Sequence, residues 1–134
     1  MGDATRQKVE FGDFQTPLAL AREVCALVVR QGFRPAAVLE PTCGTGAFLQ
    51  AALETFPEVS CVRGFEINPE YVEQARRAVE QVQRIDGVGV SSRPSVAVHG
   101  ADFFDTDWPK VLASLPEPIL VLGNPPWVTQ AELG

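Results

Sequence analysis

The 134-residue sequence predicts an α/β fold with a parallel sheet flanked by helices. Two observations carry that expectation. Short apolar runs of strand type alternate with segments of helical periodicity. The unusual polar, Gly and Pro residues cluster just after those runs, and in open parallel sheets ligands sit beyond the carboxyl ends of the strands. Four separate segments therefore converge on one rim, which is the residue-level case for a ligand site. The length suits one compact domain rather than two.

Taken in order, a helix is signalled over Thr16–Gln31. Thr16 can cap it, Pro17 suits its first position and Gly32 stops it. Leu20, Val24, Leu27 and Val28 form an apolar stripe on it. Ala37–Glu40 reads as a short buried strand that runs into the turn Pro41–Gly46. Ala47–Phe56 is helical in pattern, with Phe48, Ala52 and Phe56 on one face. Cys61–Ile67 is a second strand. Asn68-Pro69, a cap followed by Pro at the first helical position, opens a helix to about Arg84. After a polar loop, Ser95–His99 is a third strand. A connector over Ala101–Leu115 ends in a helix. Pro118–Leu122, apolar on both faces, is a fourth strand of the kind buried inside a parallel sheet.

Composition narrows the function classes. Hydrophobic residues make up 46% and charged residues 21% of the chain, as in ordinary globular proteins. No apolar run reaches the length of about 18 residues that a membrane helix needs. The polar N-terminal stretch, residues 1–10, lacks the apolar core of a secretory signal. Cytoplasmic location is the resulting expectation. Cys25, Cys43 and Cys61 fit no zinc spacing, so reduced thiols and no metal site are expected. The net charge of −6 suits phosphate binding poorly, because nucleic-acid contacts need clustered Lys and Arg.

Each rim segment admits a chemical and a purely structural role. In Glu40-Pro41-Thr42-Cys43-Gly44-Thr45-Gly46 the glycines let the backbone approach a ligand. The third glycine of a dinucleotide fingerprint is absent and an acid stands first. A carboxylate there repels phosphate and suits a cation such as a sulfonium with an α-amino group; the alternative is a tight turn with Gly for geometry alone. Glu66 lies about 20 residues past the glycines, the place from which an acid accepts hydrogen bonds from ribose hydroxyls. Its alternative is a solvated strand-end carboxylate. Asp102 can accept from an adenine amino group, with Phe103 covering the ring, or can serve as an Asx turn or helix cap. In Asn124-Pro125-Pro126-Trp127, the Asn amide oxygen and a Pro carbonyl can both accept from one NH₂ group. Trp127 offers a face on which a flipped base could stack. The alternative is a rigid turn after a strand. His99 is assigned no role.

Together these segments resemble the amino-methyltransferases of DNA, the adenine-N6 and cytosine-N4 group. The match is to the gamma-type order, in which the N-terminal motif precedes the glycine loop. Phe11–Pro17 resembles the family segment that contacts the methionine part of the cofactor, which implies Phe14, Thr16 and Pro17. Glu40, Pro41, Cys43, Gly44 and Gly46 resemble the family's acidic-Pro-x-Cys-Gly-x-Gly loop. Glu66 and Ile67 resemble the ribose-binding strand end, and Asp102 and Phe103 the adenine-binding pair. Asn124, Pro125, Pro126 and Trp127 resemble the Asn-Pro-Pro-aromatic catalytic motif, with Trp where Tyr or Phe is commoner.

The resemblance implies a Rossmann-like class I methyltransferase fold, S-adenosyl-L-methionine as cofactor and DNA as substrate, with Asn in the first catalytic position leaning toward adenine. It also implies a sheet of about seven strands, of which about four are in this chain. Residues 11–134 are therefore expected to be the cofactor-binding part of a catalytic domain, behind a tail over residues 1–10. A target-recognition domain and a complementary C-terminal fragment or subunit are expected elsewhere. Asn-Pro-Pro-aromatic segments also occur in methyltransferases of protein glutamine and RNA guanine amines. A cofactor-binding module inactive by itself is the reading from another class.

Overall fold

A computed structural model of the chain describes residues 15–85 and 93–125. Within them lie helix α1 (Leu18–Arg30), strand β1 (Ala37–Glu40), helix α2 (Ala47–Thr55), strand β2 (Cys61–Glu66) and helix α3 (Pro69–Ile85). Strand β3 (Ser95–Gly100), a 3₁₀ turn (Phe103–Asp105), helix α4 (Trp108–Ala113) and strand β4 (Ile119–Val121) follow. The four strands form one sheet in the order β3-β2-β1-β4, and every described pairing is parallel.

The alternation of side chains along a strand sorts the core into two layers. Val38, Val62, Val98 and Leu122 join a cluster with Ala21 and Cys25 of α1, Leu49 and Ala52 of α2, and Val72, Ala75 and Val79 of α3. Ala37, Leu39, Cys61 and Phe65 face the other way and pack with Leu115, Trp108 and Val111. All four residues of β1 are buried, as expected for a strand covered on both faces. In β1 the two-sided burial leaves a polar side chain only at the strand end, Glu40.

Several expected details are revised. Thr16 makes no cap: the residue before the first helical one is Pro17, in extended conformation and without a side-chain cap bond. The apolar stripe on α1 holds in part: Val24 and Val28 pack against the core, while Leu20 and Leu27 do not. Ala21 and Cys25 are fully buried, whereas Leu20 and Leu27 are about half exposed, at 47% and 48%. Small side chains win the inward face because α1 and α2 approach closely through Ala21, Cys25, Ala51 and Ala52, all in one cluster. A two-pronged ion pair of Arg22 with Glu54, at 2.9 and 3.0 Å, closes the seam. The expected cap at Asn68 is present: its Oδ1 accepts from the N–H of Glu70 at 2.9 Å.

All three cysteines are free and buried. Burial, followed by the charges of Glu40 and Glu54, pushes the Cys25 thiol up to about 11. None of the described helices is long and apolar enough to cross a membrane. Among the described residues β4 pairs with β1 alone, and Val121 is 55% exposed. Phe14, Pro126, Trp127, the tail over residues 1–10 and most of the loop after α3 lie outside the described residues.

The exposure of Leu27 gives a direct comparison. Leu49→Ala lowers the unfolding free energy in urea titrations by about 2–5 kcal/mol, because its side chain is fully buried. Leu27→Ala stays within about 0.5 kcal/mol of wild type; equal losses at both positions would restore the stripe expected from periodicity.

Candidate functional site

The carboxyl ends of β1, β2, β3 and β4 carry Glu40, Glu66, Gly100 and the turn after Val121, respectively. Backbone bonds knit this rim. The N–H of Cys43 donates to Phe65 O at 2.8 Å, that of Ala101 to Glu66 O at 3.0 Å, and that of Leu122 to Leu39 O at 3.0 Å. Each loop is thereby anchored to the neighbouring strand end.

Glu66 braces two loops at once. One carboxylate oxygen accepts from the N–H of Gly44 at 3.0 Å and the other from the N–H of Asn68 at 2.8 Å. A carboxylate offers about four lone-pair sites. These two bonds leave capacity for a ligand's hydroxyls while fixing the group's orientation. Gly46 ends the loop in a left-handed conformation, φ 95°. A Cβ there would stand 3.0 Å from the Ala75 backbone of α3, so the position needs glycine for its turn and for helix packing.

Glu40 is the electrostatic centre of the rim. It is 2% exposed, and its Oε2 is buried with no hydrogen-bond partner among the described residues. Burial, reinforced by the Glu66 charge, holds its carboxyl well above the usual carboxylate range. A buried acceptor without a partner is costly. An incoming ammonium would supply the missing partner and a sulfonium a favourable counter-charge, whereas a phosphate would add negative charge beside two carboxyl groups. The donor set thus fits a cationic ligand such as S-adenosylmethionine: Glu40 would face its positive charge and Glu66 its ribose hydroxyls.

The other expected site residues divide by exposure. Ile67 is 65% exposed beside Glu66, free to cover a flat ring. Phe103 lies half-buried against Trp108, centroids 5.3 Å apart, and its carbonyl accepts from the indole N–H at 2.9 Å. Asp102 does cap the 3₁₀ turn: its Oδ1 accepts from the N–H of Phe104 at 2.9 Å. The cap role and a ligand role remain compatible through the second oxygen. Cys43 enters the rim through its backbone, since its side chain is buried in the core and its Sγ lies against Gly64. Pro41 is half-buried in the glycine loop, and Asn124 and Pro125 are exposed after β4.

Two rim contacts went unread in the sequence. Gln15 Oε1 accepts from the N–H of Thr45 at 3.0 Å, which brings the segment with Thr16 and Pro17 to the glycine loop. Thr42 Oγ1 donates to the carbonyl of Asn124 at 3.0 Å. The sequence signal for both was their place inside the singled-out motifs. Their partners, 30 and 82 residues away, carry no local signature.

The folded state raises the Glu40 pKa, so it holds that proton more tightly than the unfolded chain does. The associated stability is present at low pH and is lost as pH rises through and above the usual carboxylate range. Thermal melts from about pH 5 to 8 are expected to show wild type losing stability relative to Glu40→Gln as pH rises. A constant difference would contradict the buried, unpartnered carboxylate.

No family model matches the chain. It is 37% identical over 129 residues to the type II methyltransferase M.NspV of Nostoc sp., covering 96% of this chain and 25% of that protein. It is 30% identical over 127 residues to the type II methyltransferase M.CvrRI of Paramecium bursaria Chlorella virus XZ-6E, covering 93% and 27%. The chain thus spans about a quarter of the length of these curated relatives. Among solved structures, it superposes on a methyltransferase from Geobacter sulfurreducens with TM-score 0.50 and 20% identity, over 66% of this chain and 39% of that one. The rRNA methyltransferase aviRa from Streptomyces viridochromogenes gives TM-score 0.50 and 18% identity, over 81% and 59%. The chain therefore has a Rossmann-like methyltransferase fold and is related, over nearly its whole length, to a segment of type II methyltransferases.

Proposed function

We propose that the chain forms the cofactor-binding part of an S-adenosylmethionine-dependent methyltransferase acting on an exocyclic amino group, with adenine N6 in DNA as the target. The observation that carries this reading is the rim itself. A buried carboxyl oxygen with no partner among the described residues and the braced Glu66 carboxylate stand beside an exposed Asn-Pro turn, on a chain similar to type II methyltransferases.

The bound cofactor supplies an electrophilic methyl group on a sulfonium. The protein's part is placement. Glu40 would face the positive end of the cofactor, and Glu66 would hold the ribose. By the family resemblance, Ile67, Asp102 and Phe103 would hold the adenine, and Phe14, Thr16 and Pro17 would belong to the segment that holds the methionine part. Asn124 Oδ1 and the Pro125 carbonyl accept from the two N–H bonds of the substrate amine and orient its lone pair. By the resemblance, Pro126 and Trp127 complete the same motif, and Trp127 would offer the face for an extruded base. The acceleration is positional and electrostatic, and no side chain has to act as a strong base.

A net charge of −6 argues that phosphate contacts come from another part of the protein. Most of the length of the curated relatives lies outside the matched region, and we assign target recognition to its counterpart. The side of β4 that has no strand partner among the described residues, with Val121 exposed, is where such a complementary segment or subunit would join the sheet. The same setting, a type II enzyme acting on DNA, makes the cytoplasm the expected compartment.

The test is product identification. Labelled S-adenosylmethionine is offered with DNA, RNA and protein, and the modified residue is identified by mass spectrometry. N6-methyladenine in DNA is the expected product, and Asn124→Ala is expected to reduce transfer at least about 10²-fold without loss of cofactor binding. Label in RNA or in protein glutamine would redirect the substrate assignment. Full activity in Asn124→Ala would remove Asn124 from the mechanism.

A further inference from the structure

The contact between Thr42 and Asn124 joins two functional loops that the sheet alone does not hold in register. Leu122 closes the ladder by donating to Leu39 O at 3.0 Å. Beyond it the chain turns at Gly123, with φ 142°. That turn seats closely on Glu40: a Cβ at Gly123 would lie 2.8 Å from Glu40 Oε1 and 3.2 Å from Glu40 Cγ. The next residue, Asn124, gives its carbonyl to the Thr42 hydroxyl at 3.0 Å. Thr42 stands two residues before Gly44, whose N–H is bound to Glu66 at 3.0 Å. A continuous path of close contacts thus runs from the ribose-side carboxylate, through the glycine loop, to the backbone of Asn124.

We propose that Thr42 is a positioning residue, whose hydroxyl sets the placement of Asn124 relative to the glycine loop and so aligns the methyl acceptor with the donor. This rests on the reading that Asn124 holds the acceptor amine. The bond goes to the Asn124 backbone, so the side-chain amide stays available for substrate. Glu40 below the turn limits how far Gly123 can sink, and Thr42 limits how far Asn124 can lift. The pair therefore restricts the loop from opposite sides. Alignment of this kind governs turnover more than affinity, because a displacement of about 1 Å can cost about 10²-fold in rate.

The experiment compares Thr42→Val, which keeps the shape and removes the donor, with Thr42→Ser, which keeps the donor. Both are made in the protein at its full encoded length, and three quantities are measured: S-adenosylmethionine affinity, kcat for amine methylation, and the ¹³C carbonyl resonance of Asn124. The expected result is that Thr42→Val lowers kcat by about 10–100-fold, leaves cofactor affinity and Tm close to wild type, and shifts the Asn124 carbonyl upfield. Thr42→Ser restores both kcat and the resonance. An unchanged kcat in Thr42→Val, or a fall in affinity and Tm that matches the fall in kcat, overturns the proposal. If wild type itself transfers no methyl group to an amine, the functional reading falls and the proposal with it; the carbonyl shift still reports whether the bond exists.

Discussion

Glu66 ties the site together by accepting backbone N–H bonds from two loops, Gly44 at 3.0 Å and Asn68 at 2.8 Å. Hydrogen bonds to a charged acceptor contribute about 1.5–3 kcal/mol each, and these two act on loops with no ladder bonds of their own. The glycine loop is held to the end of β2, and the start of α3 is held beside it. Everything else at the rim is placed relative to that brace. Gln15 docks on Thr45, Thr42 reaches Asn124, and Cys43 bonds to Phe65 O.

Glu40 imposes the second constraint, which concerns charge. The strand that carries it is buried on both faces, so its carboxyl is withdrawn from water, with one oxygen unpartnered among the described residues. Burial in a medium of low dielectric disfavours the ionised form, and the nearby Glu66 charge adds to the effect. Such a group is stabilised by a cation and further destabilised by an anion. In the proposed reading, the same Gly-rich strand-to-helix turn that accepts phosphates in dinucleotide-binding folds would favour a positively charged ligand. This follows from one residue at the end of β1 and from no difference in fold.

Much of this was legible in the sequence because it depends on local signals. The strand Ala37–Glu40 is bounded as its apolar run suggested. The Asn68-Pro69 helix start is present for the capping reason given. The convergence of Glu40, Glu66, Asp102 and Asn124 on one rim follows from parallel topology, which alternation already implied. What could not be read depends on distant neighbours. Leu20 and Leu27 have the periodicity of a buried stripe, yet the close approach of α1 to α2 favours Ala21 and Cys25 inside. Cys43 sits in a ligand-type motif but is core, because Gly64 leaves room for its sulfur. Thr16 has the chemistry of a cap, but the helix begins after Pro17. Asp102 proved to be a cap with one oxygen to spare, so both roles read for it survive.

The central claim is that the rim binds a sulfonium cofactor and not a dinucleotide. Isothermal titration calorimetry of the folded chain with S-adenosylmethionine, repeated in the presence of excess NAD, tests it most directly. Saturable one-to-one binding that NAD does not displace is the predicted result. A folded, monomeric chain that binds NAD, or that binds neither ligand, would contradict the account.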